Sequence, residues 1–298
     1  MRGHEDSIIS RVDRGRERES AIINKAYERA DQILKEATPS PQSFANLYSK
    51  DDIAPLYSKD EIAHDLAYVE DRKRRFEKAC AENPSLEITD KMSRILEAIM
   101  YEHTELSNWF GKDAKTYKTA DFDDIANGVD LVTEFGGEAG TPAHLALGID
   151  VTFTTRHQEK KFDRIWDSIM SQKLSAVKYF QSEDSGKRRL SGVPGVVIGI
   201  EKGRLEEIVS LWMQNKKKEL GNHPVRALLI EEIYEQLKRF RDVAEVFHKD
   251  SAFKAYERAF KTIQKIRGAQ KPDLGELKND AVYQAMMKEL DKFKVGGG

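Results

Sequence analysis

The sequence predicts a mixed α/β fold, with a core sheet flanked by helices and further helical regions at the N- and C-terminal sides. Three patterns indicate this fold. Residues 89–110 place apolar side chains at helical spacing, whereas HLALGIDVTFT at 144–154 alternates between faces as a strand does. The run GVVIGI at 195–200 lacks polar side chains, which is typical of a strand covered on both faces. We predict three regions: a helical one at 1–88, an α/β core at 89–218 and a helical one at 219–298.

Composition narrows the class of protein. The 298 residues include 49 Lys plus Arg and 51 Asp plus Glu, giving a net charge of −2, so nucleic-acid binding would have to use local basic patches. No apolar run approaches the roughly 20 residues that span a bilayer, and the first residues lack the apolar segment of a signal peptide. We therefore expect a cytoplasmic protein that does not bind membranes. The single cysteine, Cys80, excludes an intramolecular disulfide.

The N-terminal region carries helix signals and one basic cluster. Residues 47–64 contain a short duplication in which Ser49 with Asp52, and Ser58 with Glu61, have the spacing of a capping box. A helix ending near Asn83 then carries five basic residues: Arg72, Lys73, Arg74, Arg75 and Lys78. This cluster is either a solvated helix face or a patch that contacts nucleic-acid phosphates.

The helix predicted from residue 89 carries one acid of interest. Counting about 100° per residue, Glu102 falls within the apolar stripe and Glu97 falls on the opposite side. An acid on a core-facing stripe is unusual unless it is paired or bound to a metal. Glu102 is therefore either a functional acid or the partner of a nearby lysine.

Strand signals follow in the core region. Residues 115–135 are predicted as a hairpin turning at Asn127-Gly128, with Asp130 just after the turn. Asp150 lies on the small, polar face of the 144–154 strand. A helix at 157–172 precedes the predicted strand SAVKYFQ, the basic loop GKRRLSG and the strand GVVIGI; residues 203–218 and 224–294 are predicted helical, the latter for packing, a homo-oligomer contact or a protein partner.

This order of elements resembles the PD-(D/E)XK, or restriction-endonuclease-like, nuclease superfamily over roughly residues 90–215. The matching residues are Glu102 on the helix, Asp130 in NGVDLVTEF and Asp150 in GIDVTF. The resemblance implies a Mg²⁺-dependent hydrolase of phosphodiester bonds in nucleic acid, with Asp130 and Asp150 as metal ligands and Glu102 as an auxiliary acid or third ligand. Other catalytic patterns are missing from the sequence, including Gly-rich phosphate loops, HExxH and GxSxG.

One departure from the family pattern concerns its lysine. Thr152 stands where the family places Lys, and a hydroxyl cannot supply the cationic stabilisation of an ammonium. Lys178 is our first candidate to replace that lysine, and Lys173 is the second. The basic residues expected to contact phosphates are Arg72, Lys73, Arg74, Arg75, Lys187, Arg188 and Arg189, together with the stretch 216–218.

Two simpler interpretations remain open at the level of sequence. Asp130 follows a turn in which Asp is common for local hydrogen bonding, and Asp150 could be a solvated residue on a half-exposed strand. The chain would then be a non-catalytic interaction or assembly protein that keeps a nuclease-like scaffold.

Overall fold

A four-stranded mixed sheet forms the centre of the fold. The computed structural model describes residues 21–45, 47, 56–136, 143–150, 158–270 and 274–293, with the backbone alone at 143, 146–150, 158 and 270. The sheet contains β1 (Ala114–Lys118), β2 (Leu131–Phe135), β3 (Ala143–Asp150) and β6 (Gly195–Gly199). Strand β2 pairs antiparallel with both β1 and β3, and β3 pairs parallel with β6. The parallel pair requires a crossover connection, to which helix α5 (Gln158–Met170) belongs.

The predicted Asn-Gly hairpin turn is wrong in detail. Strands β1 and β2 do pair antiparallel, but helix α4 (Asp121–Asn127) connects them, and Gly128 ends that helix in the left-handed conformation at φ 65°. Three acids in the first turn of α4 favour a helix start, and glycine is the usual residue just past a helix end. Asn-Gly therefore terminates a helix here.

The basic segment predicted as a loop is also a strand. Residues GKRRLSG lie in β5 (Gly186–Val193), which pairs antiparallel with β4 (Ser175–Ser182) in a separate two-stranded sheet. Leu190 and Val193 are buried while most neighbouring side chains face outward. The density of basic residues suggested a loop, but long charged side chains are also tolerated on the exposed face of an edge strand.

Helices cover the sheet. The remaining helices are α1 at 21–37, α2 (Lys59–Glu82), α3 (Pro84–Leu106), α6 (Lys202–Met213), α7 (Lys217–Gly221), α8 (Val225–Val246), α9 (Asp250–Gln270) and α10 (Ala281–Asp291). Short 3₁₀ helices span Pro41–Phe44 and Gly275–Asn279. One hydrophobic core draws residues from α1 to α10, so helices of the N- and C-terminal regions share a core with the sheet.

Two helix-level predictions can be compared directly with the structure. Ser58 caps α2 by accepting a hydrogen bond from the Glu61 N–H at 3.0 Å, as predicted. The other predicted cap, Ser49 with Asp52, lies outside the described residues. Strand β6 is covered on both faces as predicted, since its valines and isoleucine are at most 2% exposed.

Side chains from α8 and α9 occupy the free edge of β6. The Gln236 amide accepts from the Val197 N–H at 2.8 Å and donates to the Val197 carbonyl at 2.5 Å, while Glu232 accepts from the Gly199 N–H at 3.1 Å. Tyr256 on α9 hydrogen-bonds the Gly195 backbone in the same way. Backbone groups that an edge strand would leave unpaired are thereby satisfied, which attaches the C-terminal helices to the sheet.

Candidate active site

Lys118 is a buried lysine at the end of β1. Alternate residues of this strand are buried, and Lys118 shares the inward face with Ala114 and Thr116. Its ammonium lies 2.9 Å from a Glu97 carboxylate oxygen on α3, donates to Asp124 on α4 at 2.9 Å and donates to the main-chain oxygen of Asp130 at 3.2 Å. These four residues, Glu97, Lys118, Asp124 and Asp130, are called the Lys118 cluster below.

The pKa values of the groups in the Lys118 cluster are shifted in different directions. Burial raises the pKa of Glu97, and Lys118 only partly offsets this effect. Burial alone would also raise the pKa of Asp124, but Lys118 and a hydrogen bond from Asp130 hold it below its usual range. For Lys118, burial lowers the pKa, but Asp124, Glu97 and Asp130 together raise it well above the ordinary lysine value. The pKa values of Glu97 and Asp124 therefore move in opposite directions around one buried lysine.

The Asp130 carboxyl group is hydrogen-bonded to that of Asp124. Asp130 lies immediately before β2, and burial, followed by the negative charges of Asp124 and Glu97, raises its pKa well above the ordinary value. A hydrogen bond joins the Asp130 and Asp124 carboxyl groups and shifts their two pKa values in opposite directions. The cluster thus holds more carboxyl groups than its single buried lysine can neutralise.

Asp124 and Asp130 line a cavity of about 500 Å³. The face of α5 toward this cavity carries Lys161, Arg164 and Ser168 at helical spacing, and Lys173 follows that helix on the same rim. Lys161 acts on Asp130 by lowering its pKa, against the larger effects that raise it. Acidic and basic side chains therefore meet across one cavity, within the size range of small-molecule sites.

Gly128 makes room for Arg164 beside this cavity. A Cβ atom at Gly128 would overlap the Arg164 guanidinium, and the positive φ of this residue is a conformation that other L-residues rarely adopt. The glycine that ends α4 therefore has a second effect, because it allows a cation from α5 to lie against the backbone.

The second predicted metal ligand can be located only through its backbone. Asp150 is the last residue of β3 and pairs with Gly199 of β6. The β2–β3 register pairs Leu131 with Leu147, so its continuation by one residue sets Asp130 opposite Gly148, two positions before Asp150. The Asp150 side chain and the whole of Thr152 lie outside the described residues.

Glu97, and not Glu102, belongs to the Lys118 cluster. The expectation that Glu97 faces away from the core is wrong: it is 4% exposed. The middle of α3 is buried on nearly every side, so a single apolar stripe does not describe it. Glu102 lies five residues, or about 140°, further around the helix, where it accepts from the Trp212 indole at 2.6 Å and from Arg29 at 3.3 Å.

Lys178 is engaged by acids of α2. Its ammonium lies 2.6 Å from Asp65 and contacts Glu61, among the rings of Tyr57, Phe122 and Tyr179. This ion pair docks α2 on β4. Lys173, our second candidate, lines the cavity instead.

The predicted phosphate-contacting residues occupy three separate segments, on α2, on β5 and at 216–218, where the lysines are exposed at the start of α7. Residues 72–78 are all exposed on the outer half of α2, where Arg74 and Arg75 pair with Asp71, and Lys73 pairs with Asp121. On β5, Lys187 donates to the Ser43 carbonyl, Arg188 lies against His144 and Glu134, and Arg189 is exposed. Much of this basic charge is already paired within the chain.

Sequence reasoning missed Lys118, Asp124 and Glu97 as a group. The alternation in β1 could have identified Lys118 as inward-facing, because Ala114 and Thr116 precede it at two-residue spacing. Asp124 was missed because the segment that bears it was read as part of a hairpin. Among the described residues, no group of three or more His, Cys, Asp or Glu side chains is arranged to hold a metal ion.

Comparisons with known proteins do not identify a relative of this chain. Neither protein-family models, nor curated proteins, nor solved structures give a match to the chain. In the part of the chain that the structure describes, the helices are too short or too polar to cross a bilayer.

Proposed function

We propose that the chain is a Mg²⁺-dependent nuclease-like protein that hydrolyses phosphodiester bonds in nucleic acid. The observation that carries this proposal is the position of Asp130. It stands immediately before β2, in the wall of the cavity, and is hydrogen-bonded to Asp124 beside the buried Lys118. Perturbed acids that converge in a cavity are typical of catalytic sites.

The order of elements supports the same proposal. Helix α3, strands β1, β2 and β3, helix α5 and strand β6 follow the order expected of the PD-(D/E)XK core. Relative to that order, α4 is inserted between β1 and β2, and the β4–β5 hairpin lies between α5 and β6.

The donor set fits Mg²⁺ in kind. Mg²⁺ takes oxygen ligands and is commonly held by one or two carboxylates with water and substrate oxygens. Asp130 is the proposed first ligand and Asp150 the second, since the continued register sets Asp150 two positions from the residue opposite Asp130 on the neighbouring strand. When bound, the ion would neutralise charge on the phosphate and acidify a water molecule.

The residues of the chain itself have separate roles in this proposal. Lys118 fixes Asp124 and the main chain at Asp130, so it positions the ligand. Glu97 takes the auxiliary role first given to Glu102. Lys161 lies on the cavity and already acts on Asp130 through its charge, so we assign to it the cationic role that Thr152 cannot fill.

A cleavage assay tests the proposal. Single-stranded DNA, duplex DNA and RNA would be incubated with Mg²⁺ and wild-type protein, Asp130→Asn or Asp150→Asn, with Asp163→Asn as a control on the exposed face of α5. We expect cleavage to fall at least about a hundredfold in the first two variants and to be unchanged in the control. Absence of wild-type cleavage of all three substrates, or cleavage that survives Asp130→Asn, would refute it.

A non-catalytic assembly protein is the second candidate. It is favoured by the engagement of Lys178 with Asp65 and Glu61, which removes the first candidate for the missing lysine. Exposed apolar side chains at Val246 and Phe247, where α8 ends, would suit a protein contact. This candidate predicts no cleavage of the three substrates.

A further inference from the structure

The cavity beside the Lys118 cluster is lined by apolar and basic side chains as well as by acids. Its lining includes the apolar side chains of Ile165 on α5, Val196 on β6 and Leu174, just before β4. Its rim carries the cations of α5 and of the residues that follow it. A site with an apolar floor and a cationic rim matches a ligand that has an apolar, planar part joined to a phosphate.

Arg164 and Lys173 are the cations with capacity to bind such a phosphate. Both are exposed side chains that line the cavity. Within the described residues, the Arg164 guanidinium and the Lys173 ammonium form no hydrogen bond or ion pair. Gly128 leaves the space that lets Arg164 lie against the cavity wall. An arginine can hold a phosphate through two parallel hydrogen bonds, and a lysine adds a point charge.

The volume of the cavity limits what can enter. About 500 Å³ accommodates a ligand of roughly nucleotide size. The stacked and paired bases of an intact duplex do not fit a space of this size, and enzymes that bind a single base in a pocket receive a nucleotide that is unpaired.

We propose that this cavity binds one unpaired nucleotide, with its phosphate held by Arg164 and Lys173 and its base and sugar against the apolar floor. The inference rests on the proposed nuclease function, and it specifies single-stranded nucleic acid as the substrate class. Asp124 and Asp130 would then face the backbone of the bound strand.

Fluorescence anisotropy tests the inference without cleavage. A short, fluorescein-labelled oligothymidylate would be titrated with the full chain in EDTA, alone or annealed to its complement. Wild type would be compared with Arg164→Gln and Lys173→Gln, and with Arg258→Gln, an exposed arginine of α9 outside the cavity. Thymidine 5′-monophosphate and thymidine would serve as competitors.

We expect the single strand to bind at least about tenfold more tightly than the duplex, because the pocket excludes paired bases. Arg164→Gln should weaken that binding by about tenfold or more, since hydrogen bonds to charged groups contribute most. Arg258→Gln should leave the affinity unchanged, and the monophosphate should compete better than the nucleoside. Equal binding of duplex and single strand, or full binding by Arg164→Gln, would overturn the inference.

The two proposals fail separately. Single-strand binding that Arg164→Gln abolishes, without Mg²⁺-dependent cleavage, would retain the nucleotide site and remove the nuclease. Cleavage that depends on Asp130, together with equal binding of duplex and single strand, would do the reverse.

Discussion

Replacing Lys118 with methionine tests the electrostatic basis of the candidate site. Lys118 is 3% exposed and compensates Glu97, which is 4% exposed. Methionine has a similar length but no charge, so Lys118→Met leaves a buried carboxylate without its partner. Breaking a buried pair in this way costs about 3–5 kcal/mol. The Asp124 side chain is 29% exposed, so solvent screens its loss and Glu97 accounts for most of the cost.

The sign of the pH dependence follows from Glu97. Burial already raises the pKa of Glu97, and removing Lys118 raises it further in the folded state. A group whose folded pKa lies above its unfolded value contributes stability that is lost as pH rises through the folded value. The destabilisation by Lys118→Met should therefore be larger near pH 8 than near pH 5.

Urea denaturation followed by circular dichroism would measure this cost. The double variant Lys118→Met with Glu97→Gln should recover much of the lost stability, because the unpaired charge is gone. Lys115→Met is the matched control on the same strand, since Lys115 pairs only with exposed acids and its loss should leave the midpoint nearly unchanged. A cost for Lys118→Met below about 1 kcal/mol at pH 8, or no recovery in the double variant, would refute the reasoning.

Two further predictions concern the edge of β6. Gln236→Leu leaves the buried N–H and carbonyl of Val197 without partners and should lower the free energy of unfolding by about 2–5 kcal/mol in urea denaturation; a loss below about 1 kcal/mol would contradict the proposed edge closure. Burial raises the pKa of Glu232 well above its ordinary value, so its stabilising contribution is present at low pH and is lost as pH rises. Glu232→Gln, which keeps an acceptor for Gly199, should flatten the fall in melting temperature between about pH 5 and about pH 9; equal slopes in the two proteins would contradict this.

The sequence predicted elements better than their connections. Alternation found β3 and helical spacing found α3, because burial of one face imposes a fixed period on apolar residues. Strand β6 was found from its uninterrupted apolar run, which is typical of burial on both faces. The local signal at Asn127-Gly128 could not distinguish a hairpin turn from a helix end, since both place glycine in the left-handed region. The three acids that start α4 were the evidence for the second interpretation.

The candidate site was only partly predictable for a different reason. Asp130 was found because it lies beside a strand, but its partners depend on tertiary contacts. Glu97 reaches the site only because α3 packs against β1, and Lys118 only because β1 turns one face inward. Such pairings join residues distant in sequence, and no local period marks them.

The positions of Lys118 and Lys161 weaken the argument that Thr152 makes against catalysis. In the sequence, Thr152 argued against catalysis because the strand that bears Asp150 offers no cation. In the structure, one cation from β1 is already committed to holding Asp124 in place, while Lys161, on α5, lines the cavity and acts on Asp130. In the proposed nuclease, positioning and charge stabilisation would come from different elements, so the loss of one lysine position on β3 would not by itself remove either role.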